Sequence, residues 1–189
     1  VRNTHHGQRI AEYLQSVPFA VDPQDLYSAK TLYAGLDLTN PQTFMECYDQ
    51  KVYQHFLQKG KVTDDSMESL ARNLHDFCIL QSLKRFVSKF HKCKVVAVMG
   101  GNAMRRDDKA YEKVARISKQ LTEDGSLMIS GGGSGAMEAT GFGAWMAGRS
   151  ECEFNDALKL LAAVPCQENS QYLQVAFDII CKYPQTDYK

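Results

Sequence analysis

A glycine-rich turn between two regular elements is the feature that most constrains the fold of this chain. The short apolar segment SLMIS ends at Ser130, and the turn GGGSG follows at Gly131–Gly135. A helix is predicted directly after it, from about Gly135 to Gly148. Glycine packs little surface and loses much conformational entropy on folding. Three consecutive glycines therefore indicate that something approaches the backbone closely, the alternative being a turn with a structural role alone.

A second strand that ends in glycine lies upstream of this turn. The β-branched run KVVAVMGG predicts a strand that is buried on both faces and ends at Gly100-Gly101. The segment between the strands has helical spacing, and Gly125 suits its C-terminal end. The order strand, helix, strand, helix predicts an α/β fold in which helical crossovers connect parallel strands.

The first ninety residues predict helices only. Asp22-Pro23 and Asn40-Pro41 each place a capping residue before a proline, which is typical of a helix start. The segment 63–90 carries acidic residues early and basic residues late, as the helix dipole favours. We predict an all-helical N-terminal region over residues 1–91 and a second region over residues 92–189.

Two further helices are predicted after residue 151. Asn155 or Asp156 would cap the first, DALKLLAAV, although KLLAAV also fits a strand. The second starts at Ser170. Two strands are too few for a sheet covered on both faces. We therefore expect residues 92–189 to be the first part of a larger sheet domain that continues beyond this chain.

The composition disfavours several classes of partner. Lys plus Arg and Asp plus Glu number 22 each, so the net charge gives no reason to expect binding to nucleic acid or to a membrane surface. A membrane helix needs about 20 consecutive apolar residues, and neither such a run nor a signal peptide is found. The six cysteines lack metal-ligand spacing, so we expect a cytoplasmic protein without a metal or cofactor whose thiols are reduced and mostly buried.

The glycine turn predicts a phosphate site. Backbone N–H groups at a helix N-terminus lack intrahelical partners and carry the positive end of the dipole. Ser134 adds a hydroxyl group, and Gly100, Gly101 and Asn102 would face the same crevice from the first strand. Either Arg105 or Arg106 would contact a phosphate, or both lie in a solvated loop. Glu138 would cap the helix or accept a ribose hydroxyl, with a general-base role less favoured.

Two common phosphate-binding motifs do not fit this turn. A P-loop requires Lys followed by Ser or Thr, whereas Gly135 precedes Ala136-Met137. A dinucleotide fingerprint fits only as Gly131, Gly133 and Ala136, on the second strand. A nicotinamide-dependent oxidoreductase is therefore a poor interpretation.

Residues 92–149 resemble the LOG ("lonely guy") family, in particular its larger bacterial members with added helices. The similarity rests on GGGSGAMEA at Gly131–Ala139 and on the first strand that ends in Gly100-Gly101. It implies a Rossmann-like fold, a homodimer and a nucleoside monophosphate ligand. Matching positions on the phosphate side are Gly131, Gly132, Gly133, Ser134, Gly135 and Glu138, and Gly100, Gly101 and Asn102 match the first-strand loop.

The resemblance further implies hydrolysis of the N-glycosidic bond of nucleoside 5′-monophosphates to a free base and ribose 5-phosphate. The catalytic motif of the family, PGGxGTxxE, does not occur in this chain. Glycosidic hydrolysis needs a carboxylate near the anomeric carbon. The sequence thus leaves two functions open: a hydrolase whose catalytic part follows this segment, or a nucleotide sensor or assembly module without catalysis.

Overall fold

The computed structural model describes residues 2–37 and 39–185, and it divides the chain into two compact units. Unit 1 is Val1–His91 and unit 2 is Lys92–Lys189. The predicted regions 1–91 and 92–189 also include residues 1, 38 and 186–189, which lie outside the described residues. In the described part of the chain, no helix is long and apolar enough to cross a membrane.

Unit 1 is built from helices. These are α1 (Arg2–Ser16), α2 (Ala29–Leu32), a 3₁₀ helix (Pro41–Glu46), α3 (Tyr48–Lys59) and α4 (Ser66–Ser88). The long helix predicted after Thr63 is confirmed, and Asp65 caps it by accepting hydrogen bonds from the backbone N–H groups of Met67 and Glu68. The sequence pattern therefore located α4 correctly, including its acidic start.

The helix predicted at Asp22-Pro23 is wrong. Residues 20–28 contain no helix, and α2 begins later, with the Ser28 side chain as its cap. The Gln24 carbonyl oxygen instead accepts hydrogen bonds from Ser82 Oγ at 3.1 Å and Arg85 Nη2 at 2.7 Å. Both donors belong to α4, so tertiary contacts hold this segment in an irregular conformation.

The start predicted at Asn40-Pro41 is confirmed, but the helix is not continuous. Asn40 caps the 3₁₀ helix by accepting a hydrogen bond from the backbone N–H of Gln42. Cys47, which is fully buried, then adopts an extended conformation with ψ of 161°, and α3 starts after it. Among the described residues, Cys47 is the only buried cysteine; Cys78 and Cys166 are partly exposed, and the others are exposed. The expectation of mostly buried thiols is therefore wrong.

Unit 2 combines helices with a small parallel sheet. Its elements are β1 (Val95–Val98), α5 (Lys109–Glu123), β2 (Leu127–Ser130), α6 (Ala136–Trp145), α7 (Glu151–Ala162) and α8 (Tyr172–Lys182). The strands β1 and β2 pair in parallel, with Val95 opposite Leu127 and Val98 opposite Ser130. The expected α/β architecture with parallel strands is confirmed at this level.

The strand β1 is not buried on both faces, contrary to the prediction. Val95 and Ala97 are exposed, whereas Val96 and Val98 are half-buried, and Met99 beyond the strand is 67% exposed. The physical reason is the size of the sheet, which has two strands within the described residues. The continuous apolar run therefore predicted the strand correctly, but it overestimated how much of the strand is buried.

The core of unit 2 lies where α5, α6, α7 and α8 meet. Tyr111, Ala115, Phe142 and Phe154 are among its buried side chains. Gly143 allows α5 and α6 to approach closely, because a Cβ atom there would overlap the carbonyl oxygen of Ala115. This close crossing fixes α6, and with it the turn that precedes α6.

The predicted helices after residue 151 are present, but their starts differ. Ser150 caps α7 through a capping box with Glu153, so neither Asn155 nor Asp156 is the cap. The segment KLLAAV is helical through Ala162 and not a strand. The helix α8 begins at Tyr172, two residues after Ser170.

Candidate functional site

The loops after β1 and β2 lie side by side at the carboxyl edge of the sheet. Ser134 Oγ donates a hydrogen bond to the carbonyl oxygen of Asn102 at 3.0 Å. The Gly101 carbonyl oxygen accepts hydrogen bonds from the backbone N–H groups of Ala136 at 3.2 Å and Met104 at 3.1 Å. The predicted phosphate turn and the predicted first-strand loop therefore form one structure.

Two of the glycines are required by this contact between the loops. A Cβ atom at Gly135 would overlap the Gly101 carbonyl oxygen, and a Cβ atom at Gly101 would lie 2.7 Å from Ala136 Cβ. Both glycines also have positive φ, near 70°. Their role is therefore close backbone packing and left-handed geometry, which a larger residue could not provide.

The other glycines leave space around the turn. Gly100 and Gly132 have positive φ, and a Cβ atom at either would meet nothing within 4 Å. A Cβ atom at Gly133 would meet only the Met137 side chain, with its terminal methyl 2.6 Å away, and Gly131 also faces the sulfur atom of Met137. Accordingly, two flexible methionines, Met137 and Met99, border the turn where a ligand would approach.

The first turn of α6 retains free hydrogen-bond donors. The backbone N–H of Ala136 is taken by Gly101. Those of Met137 and Glu138 have no acceptor among residues 2–37 and 39–185. These donors coincide with the positive end of the helix dipole, where an anion is stabilised.

A small polar cavity of about 170 Å³ adjoins the turn. Three predicted site residues line it, namely Asn102, Arg105 and Ser134, together with the segment 165–168 and Tyr172. The Arg105 guanidinium binds the Asp107 carboxylate through two contacts of 2.9 Å, and this hydrogen bonding lowers the pKa of Asp107. Arg105 is half-exposed, so it can reorient towards an anion in the cavity.

Arg106 and Glu138 form an ion pair in which the arginine is buried and the glutamate is partly exposed. The Arg106 side chain is 1% exposed, and its Nε and Nη2 atoms donate to the Glu138 carboxylate. Nη1 donates to the carbonyl oxygen of Tyr172 at 3.0 Å, and the guanidinium lies 3.3 Å from the centre of the Tyr172 ring. Arg106 is thus a buried residue whose donors bind protein acceptors, and it does not lie in a solvated loop.

Glu138 is engaged from a second side by Tyr172, whose hydroxyl donates to it at 2.6 Å. Burial raises the pKa of the Tyr172 phenol, and the hydrogen bond to Glu138 raises it further. With Arg106 and Tyr172 as partners, Glu138 connects α6 to the loop before α5 and to α8. This position favours the structural interpretation of Glu138 over contact with a ribose.

Sequence reasoning missed the two tyrosines near Glu138. Tyr111 is fully buried and its hydroxyl has no hydrogen-bond partner in the described structure, while burial raises the pKa of this phenol. Tyr172 lies at the start of α8 and donates to Glu138. Neither residue carries a local signal, because Glu138 lies 27 positions from Tyr111 and 34 positions from Tyr172 in the chain.

A second, apolar cavity of about 340 Å³ borders the same turn. Gly132, Met137 and Glu138 line it together with Trp145 and Ile179. The turn therefore contributes Ser134 to a small polar space and Gly132 to a larger apolar one. A ligand with an anionic group and a flat apolar group would suit such an arrangement.

Comparison of the chain with protein-family models, with curated proteins and with solved structures found no match. Within the described residues, no group of three or more His, Cys, Asp or Glu side chains is placed to hold a metal ion.

Proposed function

We propose that unit 2 is a Rossmann-like nucleotide-binding unit of the LOG type, which binds a nucleoside 5′-monophosphate at the turn Gly131–Gly135. The observation that carries this proposal is the pair of free backbone N–H groups at Met137 and Glu138, placed directly after a glycine turn at the carboxyl end of a parallel strand. Phosphate is the anion for which such a site is best suited. The ligand phosphate accepts hydrogen bonds from these groups, and Arg105, which lines the adjoining polar cavity, turns from Asp107 towards it.

The base of the nucleotide occupies the apolar cavity on the other side of the turn. Trp145, Met137 and Ile179 offer a surface for a flat ring there. Gly132 lines this cavity, and the open space around its missing Cβ lets the ligand pass close to the backbone.

The hydrogen bonds that Arg106 and Tyr172 donate to Glu138 favour nucleotide binding without hydrolysis by this carboxylate. Hydrolysis of a glycosidic bond requires a carboxylate that can reach the anomeric carbon or its attacking water. Glu138 is held by Arg106 and Tyr172, and displacing it would leave the buried Arg106 charge unpaired. A nucleotide sensor or assembly module therefore ranks above a hydrolase for this chain.

The experiment is a calorimetric titration of the chain with AMP and GMP, using a pair of variants at one glycine. Gly133 has no positive φ, and a new side chain there displaces only the end of Met137. Gly133→Asp and Gly133→Asn therefore add nearly equal volume but differ by one charge. Two unit charges about 4 Å apart repel by about 1 kcal/mol in water and by about 4 kcal/mol at an effective dielectric constant of 20.

We expect the Asp variant to bind at least tenfold more weakly than the Asn variant. Equal affinities, or no saturable binding by the unchanged chain, would contradict the proposal. Chromatography of the same samples for free adenine or guanine separates the two functions. Release of base would favour the hydrolase, and binding without release would favour the sensor.

A further inference from the structure

The long helix α4 of unit 1 has one covered face and one exposed apolar face. On the covered face, Glu68, Ala71 and Ser82 are buried. The opposite face, which we call the outer face of α4, exposes four large apolar side chains at helical spacing: Leu70, Leu74, Phe77 and Leu80. A surface helix normally carries polar side chains on the side away from its core. The outer face of α4 therefore has the composition of a buried face but no cover in the part of the chain that the structure describes.

The area of the outer face is large enough for a small specific interface. The exposed fractions are 44% for Leu70, 38% for Leu74, 58% for Phe77 and 47% for Leu80. With about 200 Å² for the whole surface of a large apolar side chain, the four together expose roughly 370 Å². Apolar atoms supply about 60% of a typical interface, so a partner that covers them buries about 600 Å² on each side. The total, about 1,200 Å², lies at the lower limit of stable complexes.

The charges along α4 divide between its two halves. Residues 64–76 hold four carboxylates and one arginine, a net charge of −3, and residues 77–91 hold two lysines and one arginine, a net charge of +3 with neutral histidine. In the first half, Glu68 and Arg72 pair with each other, and Lys59 of α3 partly offsets Asp65 at 3.6 Å. The remaining carboxylates and all three cations of the second half are exposed. Two copies of α4 that lie antiparallel bring opposite charges together, whereas parallel copies oppose like charges.

The apolar residues are also self-complementary about the middle of α4. A two-fold symmetric interface uses the same surface on both copies, so each contact occurs twice. A two-fold axis beside Phe77 places Leu74 opposite Leu80, because both lie three positions from Phe77 in the chain. The same axis places Leu70 opposite Lys84, whose aliphatic stem can cover apolar surface while its charged end stays in water.

We propose that the outer face of α4 binds the same face of a second copy of this chain, as an antiparallel two-fold dimer. The apolar side chains form the centre of the contact, and the acidic half of each helix lies along the basic half of the other. Because the buried area is small, monomer and dimer exchange with concentration. The contact lies within unit 1, so it is independent of the nucleotide site proposed for unit 2.

The test is analytical ultracentrifugation of the full chain across the micromolar range, where the unchanged chain should form dimers as its concentration rises. Leu80→Glu places a charge at the centre of the contact and should weaken association at least tenfold. The matched control is Leu57→Glu, since Leu57 lies on α3 and is 53% exposed. This control should associate like the unchanged chain. Circular dichroism verifies that each variant keeps its helices.

Charge reversal decides the orientation of the two helices. Lys84→Glu/Lys89→Glu makes both halves of α4 acidic and should weaken an antiparallel dimer at least tenfold. A parallel dimer already opposes like charges at each end, so it would associate about equally well with this change. Asp64→Lys/Asp76→Lys makes both halves basic and should also associate weakly alone. An equimolar mixture of the two double variants should regain association, which misfolded chains could not do.

Three results would overturn the proposal. A chain that stays monomeric across the micromolar range has no such interface. Equal association of Leu80→Glu and Leu57→Glu would place the contact on another surface. Unchanged association of Lys84→Glu/Lys89→Glu, or no recovery in the mixture, would exclude the antiparallel arrangement.

Discussion

Replacing Glu138 with Met tests whether the buried ion pair holds unit 2 together. The change leaves Arg106, whose side chain is 1% exposed, without a counter-charge, and it removes the acceptor for the Tyr172 hydroxyl. Removing one partner of a buried pair costs about 3–5 kcal/mol. Glu138 itself is 21% exposed, so we expect the lower end, about 3 kcal/mol. With an m-value of about 2 kcal/mol/M, the urea midpoint falls by about 1.5 M.

The assay is urea unfolding followed by tryptophan fluorescence. Trp145 is the single tryptophan of the chain and donates a hydrogen bond to the Tyr183 carbonyl oxygen at 2.7 Å, so it reports on unit 2 alone. The control is Glu151→Met. Glu151 is 67% exposed and pairs with Arg116, so its replacement should lower the free energy of unfolding by less than about 1 kcal/mol.

The double variant Arg106→Met/Glu138→Met decides whether the two residues act as a pair. Replacing both charges with apolar side chains removes the unpaired charge, so the double variant should be more stable than Glu138→Met by at least about 1 kcal/mol. If the loss of stability in the double variant equals the sum of the losses in the two single variants within about 0.5 kcal/mol, the two residues do not act as a pair. Glu138 would then be free to contact a ligand.

Three further predictions concern packing, capping and pH. Gly143→Ala should destabilise unit 2 by about 1–3 kcal/mol in the same unfolding assay, because the new Cβ would overlap α5. Gly141→Ala places its Cβ in open space and should stabilise unit 2 by about 0.5–1 kcal/mol. Similar values at both positions would contradict the close crossing of α5 and α6. Ser150→Ala should cost about 1 kcal/mol through loss of the capping box, and Ser150→Thr should cost less. Because the pKa of Glu68 is lowered in the folded state, its stabilisation of unit 1 is present above pH 4.5 and is lost as the pH falls through the folded-state value. The protection factors for hydrogen exchange in α4, which correct for the intrinsic exchange rate at each pH, should therefore fall at acid pH, and Glu68→Gln should flatten this dependence.

Local signals in the sequence predicted most of the regular elements. The glycine-terminated strands, the acidic start of α4 and the capping residue Asn40 each act within a few residues, so their patterns are visible in the chain. The two glycine loops were expected to face one crevice, and they lie side by side because parallel strands end at the same edge of a sheet.

The predictions that were wrong or undecided concern residues whose contacts lie far away in the sequence. The segment around Pro23 has the local signature of a helix start, but the hydrogen bonds to the Gln24 carbonyl oxygen come from residues about 60 positions away. The pairing of Arg106 with Glu138 joins residues 32 positions apart, and nothing near either residue indicates it. For this reason, the sequence could not decide between a ligand contact and a structural role for either side chain.

Backbone amide chemical shifts during a titration with AMP test the central claim most directly. The claim is that free N–H groups at the start of α6 bind a phosphate. The account predicts that the largest saturable ¹H–¹⁵N shifts occur at Gly132–Glu138, that inorganic phosphate shifts the same signals, and that Gly133→Asp abolishes the changes. Saturable shifts confined to other parts of the chain, or no shifts in Gly132–Glu138 at saturating AMP, would contradict it.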